Sequence, residues 1–214
     1  MTPTNVTEKP RGIYEDPKDI DSKLWEELCQ LEVQDVCQRA LVRYQDSLRC
    51  YVVPFLHQSC AVYPERRYIE WSCSTLHEPT FQLYLVLLTY LLRARPAPLS
   101  GRLVTASEIR GGSFFFRGPH VLFTEPLLQK FGSNAEAFLR AGRRLGGSSM
   151  DFGDVSFRLW PLPRIPLGYI LWTADEEFSA RLVVTFDSSV EHHLPLDVIW
   201  ALVNVVGSML LRQG

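Results

Sequence analysis

No stretch of this sequence runs for the roughly 20 apolar residues that a bilayer-spanning helix needs. The two nearest runs are Phe81 to Leu92, which is short and interrupted by Gln82 and Thr89, and Leu194 to Leu211, which carries Asp197 and Asn204. The N-terminus, MTPTNVTEKPRG, has no apolar core of the kind that marks a secretory signal. Cysteine is sparse and unpatterned: Cys29, Cys37, Cys50, Cys60 and Cys73 are odd in number and include no CxxC pair. That spacing argues against a zinc ribbon, a local iron–sulfur motif or a disulfide framework, and it predicts reduced, mostly buried thiols. GxSxG, HExxH and GxGxxG are missing, and no Gly-Lys-Ser/Thr follows the glycine pair at Gly111 and Gly112. The nucleophile elbow, the helical zinc site, the dinucleotide fingerprint and the P-loop are therefore not visible.

Charge of one sign is also lacking. The net charge is −2 over 214 residues, with 46% apolar and 21% charged residues. This is a globular composition, neither disordered nor fibrous, with no global pull toward nucleic acid or an anionic membrane. Local charge is uneven, however. Residues 1–32 hold eight acids and four bases, whereas residues 93–144 hold nine bases and three acids. Eight of the nine are arginines, the residue suited to bidentate contact with carboxylate or phosphate. They either pair with the acidic ends of the chain or present a face to an anionic ligand or partner.

The pattern of apolar residues predicts one α+β domain over 21–214 behind a lead-in over 1–20. Asp21 or Ser22 caps a helix that presents Leu24, Trp25, Leu28 and Leu31, and a second helix is expected over Val33 to Tyr44. Strand-like runs follow at 49–55, 59–63 and 66–73, two of them expected to form a hairpin. A strong helix is expected over 79–93. After it come a short strand at 103–105, a glycine-rich aromatic loop at 108–120 and two short helices ending at Gly132 and Gly146. Strands are expected at 155–160, 168–173 and 180–186, with Pro161, Pro163 and Pro166 enforcing an extended link between the first two. Pro195 opens the last helix, whose Asp197, Asn204, Ser208 and Arg212 fall on one polar stripe, and Trp200 is expected in the core. There is no βαβ alternation and no internal repeat, so the sheet is expected to be antiparallel and packed with helices.

Several phrases stand together in a fixed order. They are Glu108-Ile109-Arg110-Gly111-Gly112, Phe116-Arg117-Gly118-Pro119-His120, Leu145-Gly146-Gly147, Leu162-Pro163-Arg164-Ile165-Pro166 and Leu171-Trp172-Thr173-Ala174-Asp175-Glu176-Glu177-Phe178. Their order and spacing, with Leu87 to Leu92 before them and Phe186-Asp187 after, resemble an uncharacterised prokaryotic family, domain of unknown function 3786, across residues 25–212. The resemblance implies little chemistry. Its members look typical of anaerobic bacteria and archaea; some carry a cysteine-rich iron–sulfur segment and some are associated with corrinoid or one-carbon metabolism. The five scattered cysteines of this chain depart from the iron–sulfur members.

Three segments carry candidate chemistry. In the first, Arg110 and Arg117 offer charge-assisted hydrogen bonds, Gly111 and Gly112 permit close backbone approach, Phe115 and its neighbours offer flat apolar faces, and His120 offers a metal ligand or a proton. That mixture suits an acid-bearing planar macrocycle such as a corrinoid or haem. A glycine turn before a buried aromatic strand is the plain alternative. In the second, Asp175, Glu176 and Glu177, with Asp187 further on, suggest a cation site or a general base, against a solvated hairpin tip. In the third, Glu191-His192-His193 reads as the polar entry to the last helix or as a source of one axial ligand. The leading expectation is a non-catalytic cytoplasmic binding module for an anionic cofactor. A metal- or carboxylate-assisted hydrolase and a protein-interaction or assembly factor are the alternatives. An anionic small molecule or an acidic protein is the expected partner, a homodimer is open, and nucleic acid and membrane are not expected.

Overall fold

The computed structural model describes residues 16–71 and 79–213. Most of the expected lead-in, and Cys73, lie outside the described residues. The part of the lead-in that is described is built into the fold: Asp16 caps a turn at Pro17–Asp19, and Ile20 behind it is buried. Asp21 then accepts a hydrogen bond from Lys23 N–H (2.9 Å) and opens helix α1, Ser22–Gln30, which buries Trp25 and Leu28.

Helix α2 covers Val33–Ala40 and stops four residues before the expected end at Tyr44. Leu41 takes a left-handed conformation (φ 54°), which ends the helix, and Val42 N–H returns to Cys37 O. The β-prone Arg43-Tyr44-Gln45 becomes strand β1 instead, and Tyr44 meets Tyr51 edge-on at 4.9 Å across the ladder. Strands β2 (Cys50–Phe55), β3 (Gln58–Tyr63) and β4 (Tyr68–Trp71) complete a four-stranded antiparallel meander in the order β1-β2-β3-β4. All three expected strands therefore pair, not two of them. The turns place Arg49, Leu56 and Arg67 at positive φ.

Helix α3, Phe81–Arg93, is capped by Thr80 and buries an unbroken run from Val86 to Leu92. A helix apolar nearly all round is one enclosed by protein, and α3 packs against α1, α2 and the last helix, α7 (Leu196–Arg212). The polar stripe expected on α7 is present, with Asp197, Asn204, Ser208 and Arg212 exposed or half-exposed.

A second antiparallel sheet has the order β5-β9-β8-β7-β6, formed by Leu103–Thr105, Arg181–Asp187, Ile165–Trp172, Val155–Leu162 and Ser148–Ser149. The prolines at 161, 163 and 166 do not make an extended link. They lie in and beside a β7–β8 hairpin, where the register shifts between Leu159 and Leu162. A residue without an N–H is tolerated where the ladder is already broken. Every residue of β8 from Ile165 to Leu171 is buried. Helices α5 (Glu125–Phe131) and α6 (Ala135–Arg144) pack on this sheet. At Gly142 a Cβ would lie 2.7 Å from the Phe157 ring, so only glycine lets α6 approach so closely. The two sheets meet where Leu56 N–H donates to Trp160 O (3.1 Å). The fold is α+β, as expected, and no helix among the described residues is long and apolar enough to cross a membrane.

Candidate functional site

The segment after β5 is expected to be a loop but folds as three tight turns. Glu108 Oε2 accepts from both Thr105 N–H (2.7 Å) and Thr105 Oγ1 (2.8 Å), fixing a turn at Ala106–Glu108. These hydrogen bonds hold the Glu108 carboxyl below its ordinary range. Gly111 follows at φ 78°, and a one-turn helix, α4, covers Gly112–Phe115. A third turn spans Gly118–His120.

The glycines serve this folding back. A Cβ on Gly112 would lie 2.0 Å from Ala106 O and 3.2 Å from the Phe116 ring. The space is taken by the chain itself, so Gly112 sits against protein. Gly111 is needed for its left-handed backbone; a Cβ there would only touch Leu196 at 3.4 Å.

What the turns present outward is a cluster of rings and cations. Phe114 is 83% exposed, and the Arg117 guanidinium lies over its ring, 5.8 Å from the centroid. Phe115 and His120 stack at 4.4 Å with an interplanar angle of 22°. The edge of His120 meets Trp200 on α7 at 5.5 Å, and Trp200 Nε1 donates to Val121 O (3.1 Å). Trp200 is thus half-buried at this cluster, not a core residue as expected, because its indole N–H finds its acceptor at the surface. Phe116 turns inward against the core, edge-on to Phe115. Arg110 enters through its backbone: its N–H donates to Glu191 Oε1 (2.7 Å), tying the segment to the turn at Ser188–His192. The Arg110 and Arg117 side chains are exposed, and no described carboxylate lies within ion-pair distance of either.

Of the nine bases between 93 and 144, two pair with described carboxylates, Arg93 with Glu27 (3.4 Å) and Arg140 with Glu136 (2.5 Å). Lys130 and Arg144 donate to carbonyls near the end of α7. Arg93 is thus paired with the acidic start of the chain, and Arg140 within its own helix.

The acids of the second segment stand apart, in keeping with their reading as a solvated hairpin tip. Asp175 Oδ1 accepts from Glu177 N–H (2.9 Å) and Phe178 N–H (2.7 Å), shaping a fully exposed hairpin tip. Asp187 lies at the far end of β9, about 20 Å away at the rise of a strand. It is 5% exposed and accepts from Ser100 N–H and Oγ, Gly101 N–H and Ser189 N–H, all within 2.8–2.9 Å. Burial by itself would raise its carboxyl, but the Ser189 and Ser100 hydrogen bonds outweigh that and hold it at about 2. This aspartate anchors the segment before β5.

The histidine pair also splits. His192 is exposed, while His193 is 1% exposed and its Nδ1 accepts from Arg95 N–H (3.3 Å). That bond puts the ring proton on Nε2, which is buried without a partner. Burial first, then the Arg164 guanidinium, pushes His193 down to about 4. Arg164, in the β7–β8 turn, was not singled out in the sequence. Its guanidinium donates to Arg39 O (2.6 Å) at the end of α2 and to Ala97 O (3.1 Å) beyond α3. Tyr90 OH caps the same helix end at Ala40 O (2.8 Å). His57 is exposed in the β2–β3 turn and Cys60 is buried in β3. Among the described cysteines, all four are free; Cys50 and Cys60 are buried, Cys37 is half-buried and Cys29 is exposed. No three described His, Cys, Asp or Glu side chains are grouped to hold a metal ion.

A family model described as domain of unknown function (DUF3786) matches residues 32–209. No curated protein and no solved structure matches the chain.

Proposed function

We propose, on the premise that the chain belongs to the DUF3786 family, that it is a non-catalytic binding module whose ligand is anionic. The ligand lies on the surface made by Arg110, Phe114, Phe115, Arg117 and His120. The observation that carries this reading is the exposed Phe114–Arg117 pair beside the Phe115–His120 stack, with both arginines lacking a described carboxylate. A cation over an exposed ring face, with a second exposed arginine in the same segment, suits an acid-bearing, flat molecule. No hydrogen bond from the described protein groups engages a His120 ring nitrogen, so the imidazole is available as a ligand to a metal at the centre of such a molecule. A corrinoid or haem has this chemistry and is the finer form of the proposal; Arg110 and Arg117 would meet its acid groups and the His120 imidazole would hold its metal. Gly112 is buried against Ala106 O, and the exposed Gly111 beside it supplies the left-handed turn that presents these residues.

The alternative hydrolase is less well supported, because Asp187 is committed to backbone anchoring and stands a strand's length from Asp175, Glu176 and Glu177. Titrating the protein with hydroxocobalamin and with haem, followed by absorption, tests the proposal. A saturable shift of the corrin or Soret band, lost in His120→Ala, supports the finer form. Binding of an acidic peptide with neither band moving supports an anion-binding surface alone, and no binding of any of the three refutes the reading.

A further inference from the structure

A cavity of about 170 Å³ opens between the α1–α2 corner and the first sheet, and shares no residue with the surface described above. Leu28, Leu31 and Val33 give it aliphatic walls, and the edge-on pair Tyr44 and Tyr51 lies against them. Arg49 and Glu65 stand at its mouth, their side chains 68% and 52% exposed and joined by an ion pair of 2.5 Å. Each is placed by a strand-connecting turn: Arg49 N–H returns to Asp46 O, and Glu65 belongs to the turn closed by Arg67 N–H to Pro64 O. The interior carries no charge near neutral pH. Burial, then the Cys37 and Tyr44 neighbours, pushes the Tyr51 hydroxyl up to about 12, and burial followed by Glu65 raises the Cys29 thiol.

The mouth constrains what can enter. A ligand with only a carboxylate meets Arg49 but also faces Glu65, and one with only an ammonium meets Glu65 but also faces Arg49. A ligand with one group of each sign satisfies both, replacing each member of the ion pair with an equivalent partner. Behind the mouth the half-buried Leu31 and Val33 offer contact to a body of a few carbons, and a benzene-sized molecule fills a cavity of about 150 Å³. We infer that this cavity binds a free α-amino acid with an apolar side chain, the α-carboxylate on Arg49, the α-ammonium on Glu65 and the side chain among Leu28, Leu31 and Val33.

The test uses the full chain and L-leucine as probe, with isovalerate, isoamylamine and glycine as comparators. Binding is read by calorimetry, and by the rate at which N-ethylmaleimide labels Cys29, the exposed thiol in the cavity wall. L-leucine is expected to saturate and to slow Cys29 labelling, with each comparator about tenfold weaker or worse. Arg49→Met and Glu65→Gln are expected to weaken leucine binding about tenfold each. Thermal melts identify any variant that fails to fold, and Arg49→Lys, which keeps the charge, then serves in its place and is expected to retain binding. The inference is overturned if leucine does not saturate, if it leaves Cys29 labelling unchanged, if isovalerate or isoamylamine binds as tightly, or if both charge-removing variants bind leucine like the parent.

Discussion

Replacing Gly112 with Ala separates a glycine kept for packing from one kept for a ligand. The added Cβ would lie 2.0 Å from Ala106 O, a backbone atom, and 3.2 Å from the Phe116 ring. A flexible side chain would swing away, but Ala106 is held in a turn by the Thr105–Glu108 box, and Gly112 N–H is itself bonded to Ile109 O (2.8 Å). The clash must be relieved by separating two turns of backbone, and overpacking of this kind costs about 3 kcal/mol or more. Gly111→Ala is the internal comparison. Its Cβ makes only ordinary contact, at 3.4 Å, so the penalty there is that of a left-handed alanine, about 1–2 kcal/mol. Urea denaturation of both variants, with fluorescence and far-UV dichroism recorded together, gives the two costs. Gly112→Ala should be the more damaging by at least about 1 kcal/mol. If it matches the parent in stability while abolishing ligand binding, the packing account of this glycine is wrong.

Acid should destabilise the protein in two steps. His193 has its folded pKa lowered to about 4, so the unfolded chain takes up that proton first as pH falls below its ordinary 6.5. The neutral-imidazole contribution, up to about 3 kcal/mol, is present above pH 6.5 and lost down to pH 4. Asp187, lowered to about 2 from 3.8, adds up to about 2 kcal/mol that is present above 3.8 and lost as pH falls toward 2. Urea melts across pH 3–8 should show the first slope, and His193→Asn should flatten it between pH 4 and 6.5; an unchanged slope would contradict the assignment. Arg164→Ala removes a cation that closes the end of α2 onto the segment after α3, and should cost about 2–4 kcal/mol by denaturant unfolding. A loss under about 0.5 kcal/mol would show that water replaces it. In the native protein, alkylation followed by peptide mapping should label Cys29 first among the described cysteines, and Cys50 and Cys60 only on unfolding; early labelling of Cys60 would mean that β3 opens readily.

Much of the architecture was legible because it rests on local signals. Asp21 and Pro195 mark helix starts, and the alternation in Val155 to Trp160 marks a strand, while α3 starts at Phe81 behind Thr80 and not at 79. The end of α2 was not legible, since Leu41, an exposed residue, takes the left-handed cap conformation usually left to glycine, which a leucine does not announce. The proline-rich hairpin was misread because three prolines suggest an interrupted chain, whereas two of them sit where the register slips. At the candidate site, the aromatic and arginine content was plain in the sequence. The exposure of Phe114, the contact of His120 with Trp200, and the filling of the Gly112 cavity by Ala106 depend on how three turns fold over α7. Arg164 and His193 gave no local sign of their partners, which come from segments 67 to 125 residues away for Arg164 and 98 for His193.

The central claim is that Arg117 and His120 hold an anionic ligand, and the affinity of Arg117→Ala for hydroxocobalamin and haem, set beside the parent and paired with thermal melts, tests it most directly. The Arg117 side chain is exposed and lies over the exposed Phe114 ring, so the melting temperature should scarcely move. Loss of one charge-assisted contact of about 1.5–3 kcal/mol should weaken binding by about one to two factors of ten. Equal affinity of the variant and the parent for both molecules, with the fold intact, would contradict the account.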